Sequence, residues 1–325
     1  MSVNELLTDR HLHTTYSDGK NSLEEMVQAA IARGMQQIAI TDHMPLPFSD
    51  ECAIPKDRLL EYREAVLAAK KTYARQIDIL LGIELDYLPQ HLDWVQEIVA
   101  LGWDWVMGSV HFLSIGDTVD QPYIVDYAEN VFREVLEKGA QGDIRKLCAD
   151  YYANVQALVQ TGWIDCLSHI DLVKKNNRNN QFFNQNESWY QEMVREVLYV
   201  VKSFDVMVEL NTAGLVKPCA EQYPSEWIIK QCLSRGIPLV LNSDAHCTEE
   251  IGREFERFLT LLDITSPASG ERRSRDLTLI NFSSPTVGEG RSRDLTLINF
   301  PSPASGEGTS TRGEHHESKK STGNT

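Results

Sequence analysis

The feature of this sequence that most limits its possible folds is a recurring unit of a short apolar strand, a loop and an amphipathic helix. Seven such strands are predicted, and helical patterns separate them. They are Asp9–His13, Gln37–Thr41, Ile77–Leu85, Trp103–Val110, Ile164–His169, Val206–Asn211 and Pro238–Ser243. Strands that alternate with helices form parallel sheets, and this many units favour a closed barrel of the TIM type over an open sheet. We therefore expect an α/β fold of barrel architecture.

The character of the sequence changes at Thr265. From there onward Ser, Gly, Pro, Thr, Arg and Glu dominate, and the segment RSRDLTLINF occurs twice, beginning at Arg273 and Arg291. Two copies with one apolar stretch each cannot bury a continuous core. The sequence therefore predicts a folded domain over residues 1–264 and a disordered, low-complexity tail over residues 265–325.

Charge and composition exclude several classes of function. A net charge of −16 disfavours a protein that binds nucleic acid through a broad basic surface. The sequence contains no apolar run long enough for a transmembrane helix, and its first residues lack the features of a signal peptide. Its six cysteines show no CxxC pairing and indicate neither a disulfide framework nor a zinc knuckle. We expect a cytoplasmic enzyme with a small-molecule substrate and no membrane or nucleic-acid partner, whereas the oligomeric state stays open.

Most histidines of the predicted domain follow directly on a predicted strand. Of the seven histidines in residues 1–264, all but His91 lie at or just past the C-terminal end of a strand. These six are His11, His13, His43, His111, His169 and His246. The carboxylates that share this location are Asp18, Asp42, Glu84, Asp86, Asp171 and Asp244. Barrel active sites form at this end of the strands, and a mixture of imidazole and carboxylate suits zinc, manganese or iron.

The spacing of these residues supports a metal centre. His11 and His13 project to one face of the first strand, because side chains alternate along a strand. Asp244 and His246 repeat this spacing after the last strand, which lies beside the first once the barrel closes. A single histidine beside a strand usually has a structural role, but that explanation fails for six at one edge. Asp42, Asp86 and Asp171 are explained equally well as hydrogen-bond partners of ligating histidines and as ligands.

Several motifs resemble those of the PHP superfamily. They are DRHLHTTYSDG, AITDHM, GIELDY, DWVMGSVHFL, CLSHIDL and NSDAH, and the match spans Asp9 to Leu262. The motifs GIELDY, GSVHFL and VELNTAGL are similar to the histidinol-phosphate phosphatase branch of that superfamily. The resemblance implies a distorted seven-stranded (β/α) TIM-like barrel. It also implies metal-dependent hydrolysis of a phosphomonoester, namely histidinol phosphate in histidine biosynthesis.

The resemblance further implies two to three divalent ions, which would be zinc, manganese or iron, and it implies their ligands. The first ion is assigned to His11, His13, Glu84 and Asp244, the second to Glu84, His111 and His169, and the third to Asp18, His43 and His246. Glu84 would bridge the first two ions. All nine positions retain a residue that can ligate a metal, which disfavours a non-enzymatic scaffold role.

Three residues are candidates for catalytic roles, namely His43, Asp42 and Lys217. His43 is an alternative proton donor if it does not bind the third ion. The family often carries an arginine that we place at Val216, so Lys217 is the candidate to contact phosphate in its stead. Lysine is a point charge without the bidentate fork of arginine, which predicts a weaker phosphate site.

The amino end of histidinol phosphate requires carboxylates as well as the cations that bind phosphate. The candidates to bind this ammonium and imidazole end are Asp50, Glu51, Asp86 and Asp171.

Two other enzymatic functions compete with this interpretation. The segment from His246 and Cys247 to Arg253 fits the HCx5R pattern of cysteine-dependent phosphatases, but Glu249 and Glu250 would repel both phosphate and thiolate. A PHP-type nucleotide phosphatase or nuclease would use the same metal centre. The acidic composition and the lack of a basic groove disfavour that second alternative.

Overall fold

The computed structural model describes residues 7–48, 51–114 and 122–258. Seven strands in this part of the chain form one parallel sheet. In spatial order they are β1 (Thr8–Leu12), β2 (Gln37–Ile40), β3 (Asp78–Asp86), β4 (Trp105–Ser109), β7 (Cys166–Leu167), β8 (Met207–Asn211) and β9 (Leu239–Asn242). Two further strands, β5 (Phe112–Leu113) and β6 (Tyr123–Ile124), pair with each other in an antiparallel hairpin after β4.

Helices connect most of the parallel strands. They are α1 (Leu23–Ala32), α2 (Leu59–Tyr73), α3 (Leu92–Val99), α4 (Glu129–Glu134), α5 (Ile144–Gln160), α6 (Ser188–Ser203) and α7 (Glu226–Arg235). The ends of α1 illustrate how the sequence sets these bounds. The Ser22 hydroxyl accepts from the Glu25 backbone N–H, the Glu25 carboxylate accepts from the Ser22 N–H, and Gly34 supplies a positive φ of 75° just past the last turn. In the described residues no helix has the length and apolar character to cross a membrane.

The sheet closes between its first and last strands, and the closure is irregular. After the end of β9, the backbone N–H of His13 donates to the carbonyl oxygen of Ala245 at 2.9 Å. Nearer the middle of β1 and β9, a side chain replaces a backbone acceptor, because the Arg10 N–H donates to Asn242 Oδ1 at 2.9 Å. The predicted distorted seven-stranded barrel is therefore confirmed, and its distortion lies at this seam.

The core lies between the barrel wall and the helices that surround it. Apolar residues of the strands and of the inward faces of the helices are almost completely buried there. Tyr62 of α2 is fully buried, and its hydroxyl lies 2.8 Å from the carbonyl oxygens of both Ile40 and Gly82. This contact ties α2 to two adjacent strands.

All seven predicted strands are present, although several are shorter than predicted. The largest difference is at Ile164–His169, of which only Cys166–Leu167 is strand. The hairpin of β5 and β6 was not predicted, because strands of two residues are too short to produce a periodic signal. The predicted domain end at residue 264 and the tail of residues 265–325 lie outside the described residues and stay predictions.

Candidate metal centre

The carboxyl ends of the parallel strands surround one cavity of about 530 Å³. Because the strands are parallel, the residues that follow them meet at the same end of the barrel. The predicted metal ligands and catalytic candidates that line this cavity are Asp18, His43, Glu84, His111, His169, Lys217, Asp244 and His246. His11 and His13 are fully buried and contact the same cluster.

Glu84, at the end of β3, lies at the centre of the cluster and is 1% exposed. Its Oε2 atom lies 3.3 Å from His11 Nε2, 3.5 Å from His13 Nε2 and 3.0 Å from His43 Nδ1. Its Oε1 atom lies 3.0 Å from His169 Nε2 and 3.6 Å from His111 Nε2. The two oxygens of one carboxylate thus face two separate groups of histidines, which is the arrangement that a bridging ligand requires.

Four sets of donor atoms lie at this site, and within each set these atoms lie within 4.8 Å of one another. One set is His43, Asp86 and His111, and the other three consist only of predicted ligands. Those three are His11, His13 and Glu84; Glu84, His111 and His169; and His13, Asp18, His43 and His246. Asp244 adjoins the first set, since its Oδ1 lies 3.3 Å from His13 Nε2 and 3.6 Å from His11 Nε2. The structure therefore brings all nine predicted ligands together, with His13 close to the third set as well as to the first.

Unsatisfied polar atoms at the centre of the cluster indicate that it fits a cation. His11 Nε2, both ring nitrogens of His13 and Glu84 Oε2 are buried and have no hydrogen-bond partner among the described residues. A buried polar atom without a partner costs about 1–3 kcal/mol, so several at one point are unfavourable unless a further group binds them. Imidazole nitrogens and carboxylate oxygens are suitable donors for zinc, manganese or iron.

His13 and Glu84 have protonation states that suit metal binding, whereas Glu209 and Asp244 raise the pKa of His11, whose ring must lose a proton to bind a metal. Burial, together with the nearby imidazoles of His246 and His43, lowers the pKa of His13 to about 4. This ring is therefore neutral at pH 7, and its lone pair is available to bind a metal. Burial opposes the ionisation of Glu84, but His43 and His11 outweigh it and hold the pKa of this carboxyl well below its usual range.

Carboxylates orient two of the histidine rings through the ring nitrogen that does not face Glu84. Asp86 Oδ1 lies 2.8 Å from Nδ1 of His111, and Glu209 Oε1 lies 2.6 Å from Nδ1 of His11. In both rings this contact leaves Nε2 directed at Glu84. For Asp86 the sequence left this role and direct coordination of a metal equally open, whereas Glu209 was not identified from the sequence. The available signal was a single charge between the apolar residues Val208 and Leu210 of strand β8.

Asp42 hydrogen-bonds to the loop of Thr14 and Ser17. It is fully buried, and its Oδ1 accepts from the Thr14 backbone N–H at 2.8 Å and from the Ser17 hydroxyl at 2.6 Å. Its Oδ2 accepts from the Thr14 hydroxyl at 2.9 Å. Asp42 therefore fixes the loop that leads to Asp18, and among the described residues no histidine hydrogen-bonds to it.

The carboxylates predicted to bind the amino end of the substrate are dispersed. Glu51 and Asp86 line the cavity, whereas Asp50 lies outside the described residues. Asp171 is fully buried and does not line the cavity. Its Oδ2 accepts from Lys174 Nζ and from the Ser225 backbone N–H, both at 2.9 Å, and so it holds two loops together.

Two lysines line the wall of the cavity, and they differ in their partners. Lys217 forms no ion pair with any residue that the structure describes. Lys175 was not identified from the sequence. Its Nζ lies 2.9 Å from Oδ2 of Asp126, which also lines the cavity. The site thus contains one lysine with an uncompensated charge and one lysine that shares its charge with a carboxylate.

The cysteine-phosphatase alternative is not supported by the local structure. Partial burial, a hydrogen bond to Glu249 and the charge of Glu250 raise the pKa of the Cys247 thiol. Arg253, which would bind phosphate in that pattern, forms an ion pair with Glu250 at 2.8 Å. The loop therefore supplies neither a reactive thiolate nor an available arginine.

A family model and a sequence relative show which family the chain belongs to. The PHP domain family matches residues 9–213. A Deinococcus radiodurans protein named as a probable histidinol-phosphatase is 30% identical over 259 residues, which cover 77% of this chain and 90% of that protein.

Solved structures agree with this match. A Listeria monocytogenes structure named as a putative histidinol phosphatase, HisK, has a TM-score of 0.69 and 26% identity, with coverage of 77% of this chain and 99% of that one. A Lactococcus lactis histidinol phosphate phosphatase, crystallised with zinc, L-histidinol and phosphate, has the same fold with a TM-score of 0.60 and 21% identity. This alignment covers 80% of this chain and 93% of that one. The resemblance predicted from the motifs is confirmed, and the chain belongs to the PHP domain family.

Proposed function

We propose that this protein is a histidinol-phosphatase, which hydrolyses histidinol phosphate to histidinol and phosphate with the help of two to three divalent ions. The observation that carries the proposal is the position of Glu84, whose two oxygens face separate groups of histidines at the floor of the cavity. The Deinococcus relative and the Listeria structure support the same substrate class.

Three groups of residues would hold the ions, which we expect to be zinc, manganese or iron. The groups are His11, His13, Glu84 and Asp244; Glu84, His111 and His169; and Asp18, His43 and His246. When bound, such ions acidify water to a hydroxide nucleophile at neutral pH and offset the charge on phosphate oxygens. His43 contacts two of these groups, because its Nδ1 lies 3.0 Å from Glu84 and its Nε2 lies 3.8 Å from Asp18.

The lysines on the cavity wall would bind the phosphate oxygens. Phosphoryl transfer spreads negative charge over these oxygens in the transition state, so a fixed cation stabilises that state. Lys217 is the stronger candidate, since no described carboxylate neutralises it. Asp42 would act indirectly, because it positions the loop that carries Asp18.

The rest of the cavity suits a small cationic leaving group. Its volume of about 530 Å³ falls in the usual range of small-molecule sites, which is roughly 300–1,000 Å³. Glu51 lines it in addition to the proposed metal ligands and is therefore placed to bind an ammonium or imidazole, whereas Asp126 already pairs with Lys175. A nucleic-acid strand would instead need a basic groove, whereas the chain carries a net charge of −16.

Initial rates on three substrates test the proposal. With the metal-loaded enzyme, kcat/KM for histidinol phosphate should exceed that for AMP or a dinucleotide at least about tenfold, roughly 1.4 kcal/mol of discrimination. Preference for either nucleotide would instead assign the protein to the nucleotide phosphatases or nucleases that share this metal centre. The His169→Asn variant is the control, since its residual rate measures any contaminating phosphatase.

A further inference from the structure

A buried carboxylate outside the proposed mechanism lies beneath the metal centre. Glu209, in the middle of β8, is 0% exposed and does not line the cavity. An ionised carboxylate is costly to bury unless hydrogen bonds satisfy its oxygens. Its contacts therefore indicate why this position holds a charge between the apolar residues Val208 and Leu210.

Glu209 contacts four donors, two at each oxygen. Its Oε1 lies 2.6 Å from His11 Nδ1 and 2.9 Å from Asn242 Nδ2. Its Oε2 lies 2.9 Å from the backbone nitrogen of His169 and 3.0 Å from Asn211 Nδ2. An ionised carboxylate can accept about four hydrogen bonds, so all of its capacity is used.

These contacts involve residues from the first two of the three proposed groups of metal ligands. His11 belongs to the first group and His169 to the second. Asn211 extends the network to Asp244, since its Nδ2 also lies 3.1 Å from Asp244 Oδ2. One carboxylate on β8 thus connects a proposed ligand in β1 with proposed ligands that follow β7 and β9.

We propose that Glu209 is a positioning residue that sets the metal affinity of the centre. The inference rests on the proposed metal ligands. By accepting the proton at Nδ1 of His11, Glu209 fixes the tautomer in which Nε2 carries the lone pair and faces Glu84 and Asp244. By accepting from the backbone of His169, it fixes the position of a ligand in the neighbouring group. The ligands are then already arranged before an ion binds.

The test substitution is Glu209→Gln, which preserves the size of the side chain. An amide has one accepting oxygen and one donating NH₂ group, so two of the four donors would face another donor. Loss of such an orienting partner weakens metal binding about 10- to 100-fold. The measurement is a Zn²⁺ titration of the metal-depleted protein in competition with a chromophoric chelator.

Asp171→Asn is the matched control. Asp171 is also fully buried, but its carboxylate accepts from Lys174 and from the Ser225 N–H rather than from proposed ligands. This substitution should lower the unfolding temperature and leave the affinity for Zn²⁺ within about twofold of wild type, since it breaks a buried ion pair outside the metal centre.

Each outcome of the titration decides the matter. Wild-type affinity in Glu209→Gln, or an equal loss in Asp171→Asn, refutes the positioning role. If Glu209→Gln does not fold, Glu209→Asp replaces it, because the shorter side chain keeps the charge but withdraws the carboxylate from His11 Nδ1 and from the His169 backbone N–H. Unchanged affinity in that variant also refutes the role. A wild-type protein that binds no Zn²⁺ tightly instead refutes the proposed metal centre.

Discussion

Replacement of Lys217 by methionine tests how the site binds phosphate. Lys217 lines the cavity, and no described residue forms an ion pair with it, so its full charge is available to a dianionic substrate. A hydrogen bond to a charged group contributes about 1.5–3 kcal/mol. At about 1.4 kcal/mol per factor of ten, Lys217→Met should lower kcat/KM for histidinol phosphate by roughly 10- to 150-fold.

Lys175→Met is the matched comparison. Because Lys175 lies 2.9 Å from Asp126, part of its charge is already compensated, and its loss should reduce kcat/KM less than the loss of Lys217. Steady-state kinetics and inhibition by inorganic phosphate are the assays, and Lys217→Met should raise the inhibition constant together with KM. A Lys217→Met enzyme with wild-type kcat/KM and unchanged phosphate inhibition would refute the assignment of this residue.

Two further predictions concern the chemistry of the centre. Chelation should abolish phosphate release, and His169→Asn should lower kcat by orders of magnitude while circular dichroism stays unchanged; activity that survives both treatments would contradict a metal-dependent reaction. Cys247→Ser should retain most activity, because burial and Glu249 raise the pKa of the thiol and leave little thiolate at pH 7. An inactive Cys247→Ser enzyme with normal metal content would revive the cysteine mechanism.

The sequence was sufficient to predict the barrel and the convergence of the proposed ligands. Strand periodicity places His11 and His13 on one face, and barrel closure brings Asp244 beside them although it lies more than 200 residues later. These inferences depend only on local patterns and on one topological rule, which holds for any parallel barrel.

The supporting contacts could not be predicted in the same way. His11 and Glu209 are 198 residues apart in the sequence. No local pattern specifies which buried carboxylate will contact which histidine ring. Asp42 follows its strand just as His43 does, yet it turns toward the loop of Thr14 and Ser17 instead of toward a histidine. Such differences depend on side-chain packing within the closed barrel, which a one-dimensional pattern does not contain.

The irregular seam between β1 and β9 has a consequence for the order in which this protein acquires its activity. The backbone of Arg10 meets the side chain of Asn242, 232 residues later, and His13 meets Ala245 at the same seam. Contacts between such distant residues carry a large loop-closure entropy and form late in folding. During synthesis the ribosome must therefore release almost the whole barrel before Asp244 can join the histidines of β1. A truncated chain that ends before β9 would carry most of the ligands and still lack a complete site.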